Sequence, residues 1–203
     1  SNLRIGGYVP LSTMDYPNQL AAVVFCQGCA WRCSYCHNPH LLPSQTDNSM
    51  TWRQFEEFLH RRRGLLEAVV FSGGEPTQQK ELVPAMQQVK AMGFHVGLHT
   101  AGIYPARLAA VLPWLDWVGM DIKAPFEDYS LITGVKNSGE AARESLQLIL
   151  ASGIEYECRT TADTRLLTET MISKMLQELH DLGVRHHILQ KCRHPIAILK
   201  EAN

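Results

Sequence analysis

The chain has 203 residues, with 19 Lys and Arg against 20 Asp and Glu, a net charge of −1, 19% charged residues and 45% hydrophobic ones. That balance excludes a disordered chain and a strongly basic nucleic-acid surface, and it supplies apolar material for one sizeable core, so a single domain is expected. No apolar run approaches the roughly 18–20 residues that span a bilayer, no signal peptide is read at the start, and the chain begins Ser1-Asn2 without Met, which leaves both a native start and a non-native remnant open for those two residues.

Short β-branched and aromatic runs alternate with amphipathic stretches along the chain. The predicted strands are Ala21–Cys26, Ala68–Ser72, His95–Thr100, Trp117–Lys123, Glu155–Thr161 and His186–Gln190. After the first, Thr51 and Gln54 form a capping box ahead of a stripe of Trp52, Phe55, Phe58 and Leu59. The next helix carries Leu82, Met86 and Val89 and stops at Gly93. Pro105 suits the first turn of a helix with Leu108, Val111 and Leu112. Ala142, Leu146, Ile149 and Leu150 make a stripe ended by Gly153, and Ile172, Met175, Leu176 and Leu179 make the last, ended by Gly183. The three glycines are read as helix C-caps. Residues 1–20 are read as an N-terminal extension, 21–190 as the βα core and 191–203 as a C-terminal tail.

Repeated βα units imply an α/β fold of parallel strands joined by right-handed crossovers. The sheet is either open and doubly wound or a curved partial barrel, and in both cases function sits at the carboxyl ends of the strands. Those ends are polar or glycine-rich in five successive places. Cys29-Ala-Trp-Arg-Cys33-Ser-Tyr-Cys36-His37-Asn38-Pro39 follows the first strand, and Ser72-Gly73-Gly74-Glu75-Pro76-Thr77 follows the second. His99-Thr100-Ala101-Gly102, Asp121-Ile122-Lys123 and Arg159-Thr160-Thr161 close the next three.

Of six Cys, four fall within the eleven residues from Cys26 to Cys36, a cluster that suits a metal or redox centre better than a disulfide scaffold. Cys29, Cys33 and Cys36 can each hold one iron of a cubane cluster and leave the fourth iron open, as catalytic metal sites require. The rival reading adds Cys26 to make a closed four-Cys zinc or electron-transfer site. Against it, Cys26 lies inside the apolar run Ala21–Cys26, where buried Cys is common.

The spacing Cys29-x3-Cys33-x2-Cys36, with Tyr35 before the last Cys, resembles the signature of radical S-adenosylmethionine enzymes. The run GCAWRCSYCHNPHLL is similar to the activating enzymes of glycyl-radical proteins. GGYVPLSTMDYPNQLAAVVFCQGC, FSGGEPT and GLHTAG together resemble the longer-form activating proteins of anaerobic ribonucleoside-triphosphate reductases, with similarity to pyruvate formate-lyase activating enzymes; the resemblance runs from about Ile5 to Gln190.

The resemblance implies a partial (βα)6 TIM-like barrel, open at the side to a loop of a large partner. It implies a 4Fe–4S cluster on Cys29, Cys33 and Cys36, with S-adenosylmethionine chelated to the fourth iron. One-electron cleavage of the sulfonium would give a 5′-deoxyadenosyl radical that takes hydrogen from a partner glycine. Gly73, Gly74 and Glu75 match the motif that receives the methionyl group, and Tyr35 the aromatic beside the adenine. Asp121 and Lys123 match an Asp-x-Lys whose Lys approaches the cofactor carboxylate. Arg159 is a candidate for that carboxylate or for partner backbone, and Asp15 matches an Asp near the arriving glycyl loop, with Asn18 standing where the family often has Gly. His99 departs from the acidic residue of formate-lyase activators, which leaves open whether the family's monovalent cation site exists here, and His99 is a candidate contact for the cofactor. Implied partners are a glycyl radical enzyme, foremost the large subunit of an anaerobic ribonucleotide reductase, and a low-potential flavodoxin or ferredoxin. No nucleic acid or membrane partner is expected, and the location is cytoplasmic. Arg61-Arg62-Arg63 is read as a solvated helix end, and His37, Cys158 and Cys192 as structural.

Overall fold

The computed structural model describes residues 1–46 and 50–192. Among them, seven strands form one sheet in chain order: β1 (Ile5–Ser12), β2 (Ala21–Cys26), β3 (Ala68–Gly73), β4 (His95–Thr100), β5 (Trp117–Asp121), β6 (Glu155–Ala162) and β7 (His187–Lys191). Strands β2 to β7 pair in parallel, and β1 lies antiparallel to β2. The sheet does not close, because β1 and β7 are its two edges. The connections carry α1 (Trp52–His60), α2 (Leu82–Ala91), α3 (Pro105–Val111), α4 (Tyr129–Thr133), α5 (Ser138–Ser152) and α6 (Glu169–Asp181). No helix among the described residues is long and apolar enough to cross a membrane.

The helix signals act as expected. Thr51 accepts from Gln54 N while Gln54 accepts from Thr51 N at 2.9 Å, so both halves of the capping box form. Trp52, Phe55, Phe58 and Leu59 are buried beneath it. Gly153 sits at φ 71° as the left-handed cap of α5. Arg61, Arg62 and Arg63 are exposed just past α1.

Strand β1 is the chief addition to the sequence reading. It lies in the stretch taken as an extension and was hidden by Gly6, Gly7 and Pro10, which weaken a strand signal but suit an edge. β5 also ends two residues early. Ile122 N still donates along the ladder to Arg159 O at 2.7 Å, but Lys123 N donates instead to Tyr129 Oη at 3.0 Å, so the chain leaves the sheet there toward α4. Of the tail 191–203, residues 193–203 lie outside the described residues.

Alternation sorts the two faces of the sheet. Val24, Cys26, Val69, Phe71, Val96, Leu98, Val118 and Met120 face the helices in the main core. The other face holds Ala21, Val23, Ala68, Val70 and Trp117, packed around Tyr16 from the β1–β2 loop. Tyr16 and Trp117 stack with centroids 5.3 Å apart. Gly97 makes room for them, since a Cβ there would stand 3.1 Å from Tyr16. Burying each large side chain is worth about 1.5–3 kcal/mol, so this pair forms a firm floor below the strand ends.

Candidate active site

The thiol loop leaves β2 at Cys26 and is pinned at its base. Gly28 N donates to Leu41 O at 2.7 Å and Cys29 N to Leu42 O at 3.1 Å. The buried Gln27 amide donates to His40 O and Pro43 O at 2.9 and 2.7 Å. Farther out, Arg32 N and Ser34 N donate to Thr133 O and Ile132 O of α4, both at 3.0 Å. So held, Cys29, Cys33 and Cys36 line one cavity of about 230 Å³ at the carboxyl ends of the strands. Tyr35, Gly73, Gly74, His99, Asp121, Lys123 and Arg159 line the same cavity.

Cys26 does not join them. It is fully buried, and it points from β2 into the helix-facing core. Burial raises the Cys29 thiol to about 11 and raises Cys33 as well, with Lys123 acting in the opposite sense on both. These thiols are therefore protonated when free, and thiolate ligation must displace protons. Among the described residues, no group of three His, Cys, Asp or Glu converges as one metal ion would require. A cubane instead takes one soft thiol donor at each of several irons, and the three thiols lining this one cavity suit that donor set.

The turn after β3 fits tightly against the thiol loop. Gly73 has φ +113°, and a Cβ there would stand 2.4 Å from Cys26 N; one on Gly74 would stand 2.3 Å from Gly28 O. These glycines thus allow backbone to meet backbone. Glu75 does not line the cavity. Its Oε1 accepts from Thr77 N at 3.1 Å, Thr77 Oγ1 at 2.6 Å and Thr100 Oγ1 at 2.8 Å, and Oε2 accepts from Ala101 N at 2.9 Å. Burial pushes this carboxyl up from its ordinary value while the four donors oppose the rise. The carboxylate sewn between the β3 turn and the end of β4 is thus occupied by its own protein.

Lys123 brings a buried cation to the cavity wall. Its Nζ lies 3.2 Å from Asp121 Oδ2 and 5.7 Å from the centre of the Tyr35 ring. Burial works against its charge, but Asp121, with Tyr35 and Cys33, holds its pKa well above the usual lysine value. The Lys123 side chain is 8% exposed and that of Asp121 56%, so the ammonium faces inward and its partner is wetter. An anionic ligand group would find a preorganised charge there.

Three predicted residues meet around the floor. His99 Nε2 donates to Asp15 O at 2.9 Å, and its ring stands edge-on to Trp117 at 5.5 Å. Arg159 lies over the Trp117 ring at 5.5 Å and pairs with Glu157 on the same strand. Asp15 is held by Ser12 Oγ at 2.5 Å and lies outside the cavity lining, joined to it through His99. Asn18 has φ 60°, the left-handed turn anticipated for that position. His37, read as structural, lines the cavity, as do Trp31, Asn38 and Gly119, which sequence reasoning did not single out. Gly119 had a signal, because it precedes Asp121 by two on one strand face.

With Cys26 turned away, Cys29, Cys33 and Cys36 are the thiols that would hold a four-iron cluster, leaving its fourth corner to a small-molecule ligand. The sequence profile of the Radical SAM superfamily matches residues 23–164. A Methanocaldococcus jannaschii protein named for glycyl-radical enzyme activation is 30% identical over 186 residues, covering 87% of this chain and 75% of its own. A Clostridium pasteurianum pyruvate formate-lyase-activating enzyme is 34% identical over 145 residues, covering 67% of this chain but 59% of its own. The fold also matches native anSMEcpe with bound AdoMet and a Cp18Cys peptide, with a TM-score of 0.64 at 17% identity, over 83% of this chain and 49% of that one. The chain belongs to the radical SAM superfamily and, within it, to the glycyl-radical enzyme activating enzymes. As in the superfamily as a whole, its cofactors are a 4Fe–4S cluster and S-adenosylmethionine.

Proposed function

We propose that this chain activates an anaerobic ribonucleoside-triphosphate reductase by generating a glycyl radical on its large subunit. The observation that carries the reading is the convergence of three thiols, the Gly73-Gly74 turn and the buried Lys123 ammonium on one cavity, with Asp15 at its edge. Cys29, Cys33 and Cys36 would hold the cluster. Bound there, cluster and S-adenosylmethionine supply one-electron chemistry that ends in removal of a hydrogen atom from the partner. Lys123 would meet the cofactor carboxylate and Tyr35 its adenine. The Gly73 and Gly74 backbone would take the methionyl amino group, with Glu75 holding that turn rather than touching the ligand. Arg159 and Asp15 would orient the partner's glycyl segment, which reaches the cavity through the side that the sheet leaves open.

The choice of reductase rests on the run from Gly6 to Cys29 together with FSGGEPT and GLHTAG. A second reading, activation of a pyruvate formate-lyase-like enzyme, is favoured by the clostridial relative at 34% identity. A low-potential flavodoxin or ferredoxin would deliver the electron in an oxygen-poor cytoplasm. The reconstituted protein is to be incubated anaerobically with reductant, S-adenosylmethionine and each candidate partner. A glycyl-radical doublet in the paramagnetic resonance spectrum of the reductase is expected. A doublet only on the formate-lyase selects the second reading, and 5′-deoxyadenosine without a radical on either overturns both.

A further inference from the structure

We infer that His99 is a positioning residue that couples the cofactor cavity to the loop bearing Asp15; the inference builds on the function proposed above. The imidazole has one side on each. It lines the cavity, and its Nε2–H donates at 2.9 Å to the backbone carbonyl of Asp15, which lies 84 residues earlier in the chain. Because that carbonyl only accepts, the proton must be on Nε2. Nδ1 then accepts from Ser72 Oγ at 3.4 Å, and Ser72 directly precedes the Gly73-Gly74 turn. One ring thereby touches the segment that receives the cofactor and the loop that awaits the partner.

The surroundings fix the ring in this place. Gly119 on the neighbouring strand leaves space that a Cβ would reduce to 2.9 Å from His99 Cδ2. Trp117 stands edge-on beneath it. The loop is anchored below by Tyr16 on Trp117, and above by the His99 bond. Between these anchors, Ser12 Oγ accepts from Met14 N and Asp15 N at 3.2 and 3.3 Å and donates to the Asp15 carboxylate. Loop and carboxylate therefore move as one unit. Releasing the His99 bond would free this unit over the cavity mouth, and a radical formed there would more often be quenched before meeting its target.

The test compares His99→Leu, His99→Asn and His99→Gln in the reconstituted holoenzyme with its partner. Gln can place an amide N–H near the Nε2 position, whereas Leu has no donor and Asn is too short. The expected result is a ratio of 5′-deoxyadenosine to glycyl radical about tenfold higher for Leu and Asn, the equilibrium worth of one hydrogen bond. KM for the partner should rise in both, and Gln should restore the wild-type ratio. Deuterium exchange of residues 13–19 should quicken in Leu and Asn but not in Gln, a readout that needs no turnover. Unchanged ratio and exchange in the Asn variant would overturn the inference, even if the Leu variant failed to fold. Absence of a radical in the wild type would defeat the proposed function alone, leaving the exchange comparison to decide on His99.

Discussion

Thr100 Oγ1 at the end of β4 donates to the Glu75 carboxylate of the β3 turn at 2.8 Å, and Ala101 N donates to its other oxygen at 2.9 Å. Four donors surround a group with no exposure at all. In Glu75→Gln the amide oxygen can take the crowded side, but its NH2 then faces Ala101 N–H. We expect a loss of about 2–3 kcal/mol in urea unfolding, the cost of opposed buried donors. Cofactor affinity should fall as well, although Glu75 lies outside the cavity lining. Full retention of both would show that the carboxylate is dispensable to the turn.

The thiols divide by the face they occupy. Alanine at Cys29, Cys33 or Cys36 should abolish the brown colour and iron content of anaerobically reconstituted protein. Cys26→Ser should keep both, at a stability cost of about 1–3 kcal/mol for a hydroxyl in the helix-facing core. Equal loss of iron in all four variants would restore the closed four-Cys reading.

Glycines separate in the same way. Alanine at Gly73 or Gly74 would drive a Cβ to 2.4 or 2.3 Å from backbone that cannot yield. A destabilisation of at least about 3 kcal/mol is expected, which in a chain of this size lowers Tm by roughly 6–12 °C. Gly183, at φ +85° with nothing within 4 Å of its would-be Cβ, should cost only about 1 kcal/mol on the same substitution. Thermal unfolding of the three variants checks the contrast.

Acidification should destabilise the protein through two imidazoles. Burial lowers the pKa of His99, with Arg159 adding to the effect and Asp15 and Asp121 opposing it; burial also lowers that of His187. The unfolded chain then binds protons at higher pH than the folded one, so stability rises with pH until the ordinary value of about 6.5 is passed. Urea midpoints should be level from that point up to about pH 8, where thiols begin to ionise in the unfolded chain, and fall below it. His187→Gln, which keeps a hydrogen-bonding group opposite Thr160 Oγ1, should flatten part of the slope.

Much of this architecture is legible in residue order because local and global signals agree. The β2–β6 runs, the Thr51–Gln54 box and the Gly153 cap each report a local preference that packing reinforces. β1 is hidden because Gly6 serves a close approach, its missing Cβ leaving room for Leu41 and Gln27, and not a turn. α4 is hidden because its five residues are too short for a periodic stripe. Spacing exposed the three thiols, as the loop encodes them contiguously. It could not reveal that Glu75 is consumed by Thr77, Thr100 and Ala101, or that His99 reaches Asp15, since those partners meet only after the sheet has rolled up.

Sheet order and chain order coincide from first strand to last. Each strand therefore finds its neighbour waiting as it leaves the ribosome, and no segment must be inserted between two already paired. The thiol loop and the glycine turn are framed by β2, β3 and β4, all from the first half of the chain, so their frame can assemble before the C-terminal half is made. Ribosome-stalled chains ending after α6, long enough for β4 and β5 to clear the exit tunnel, should already resist protease across residues 21–100; uniform cleavage there would show that the half-built sheet waits for its far edge.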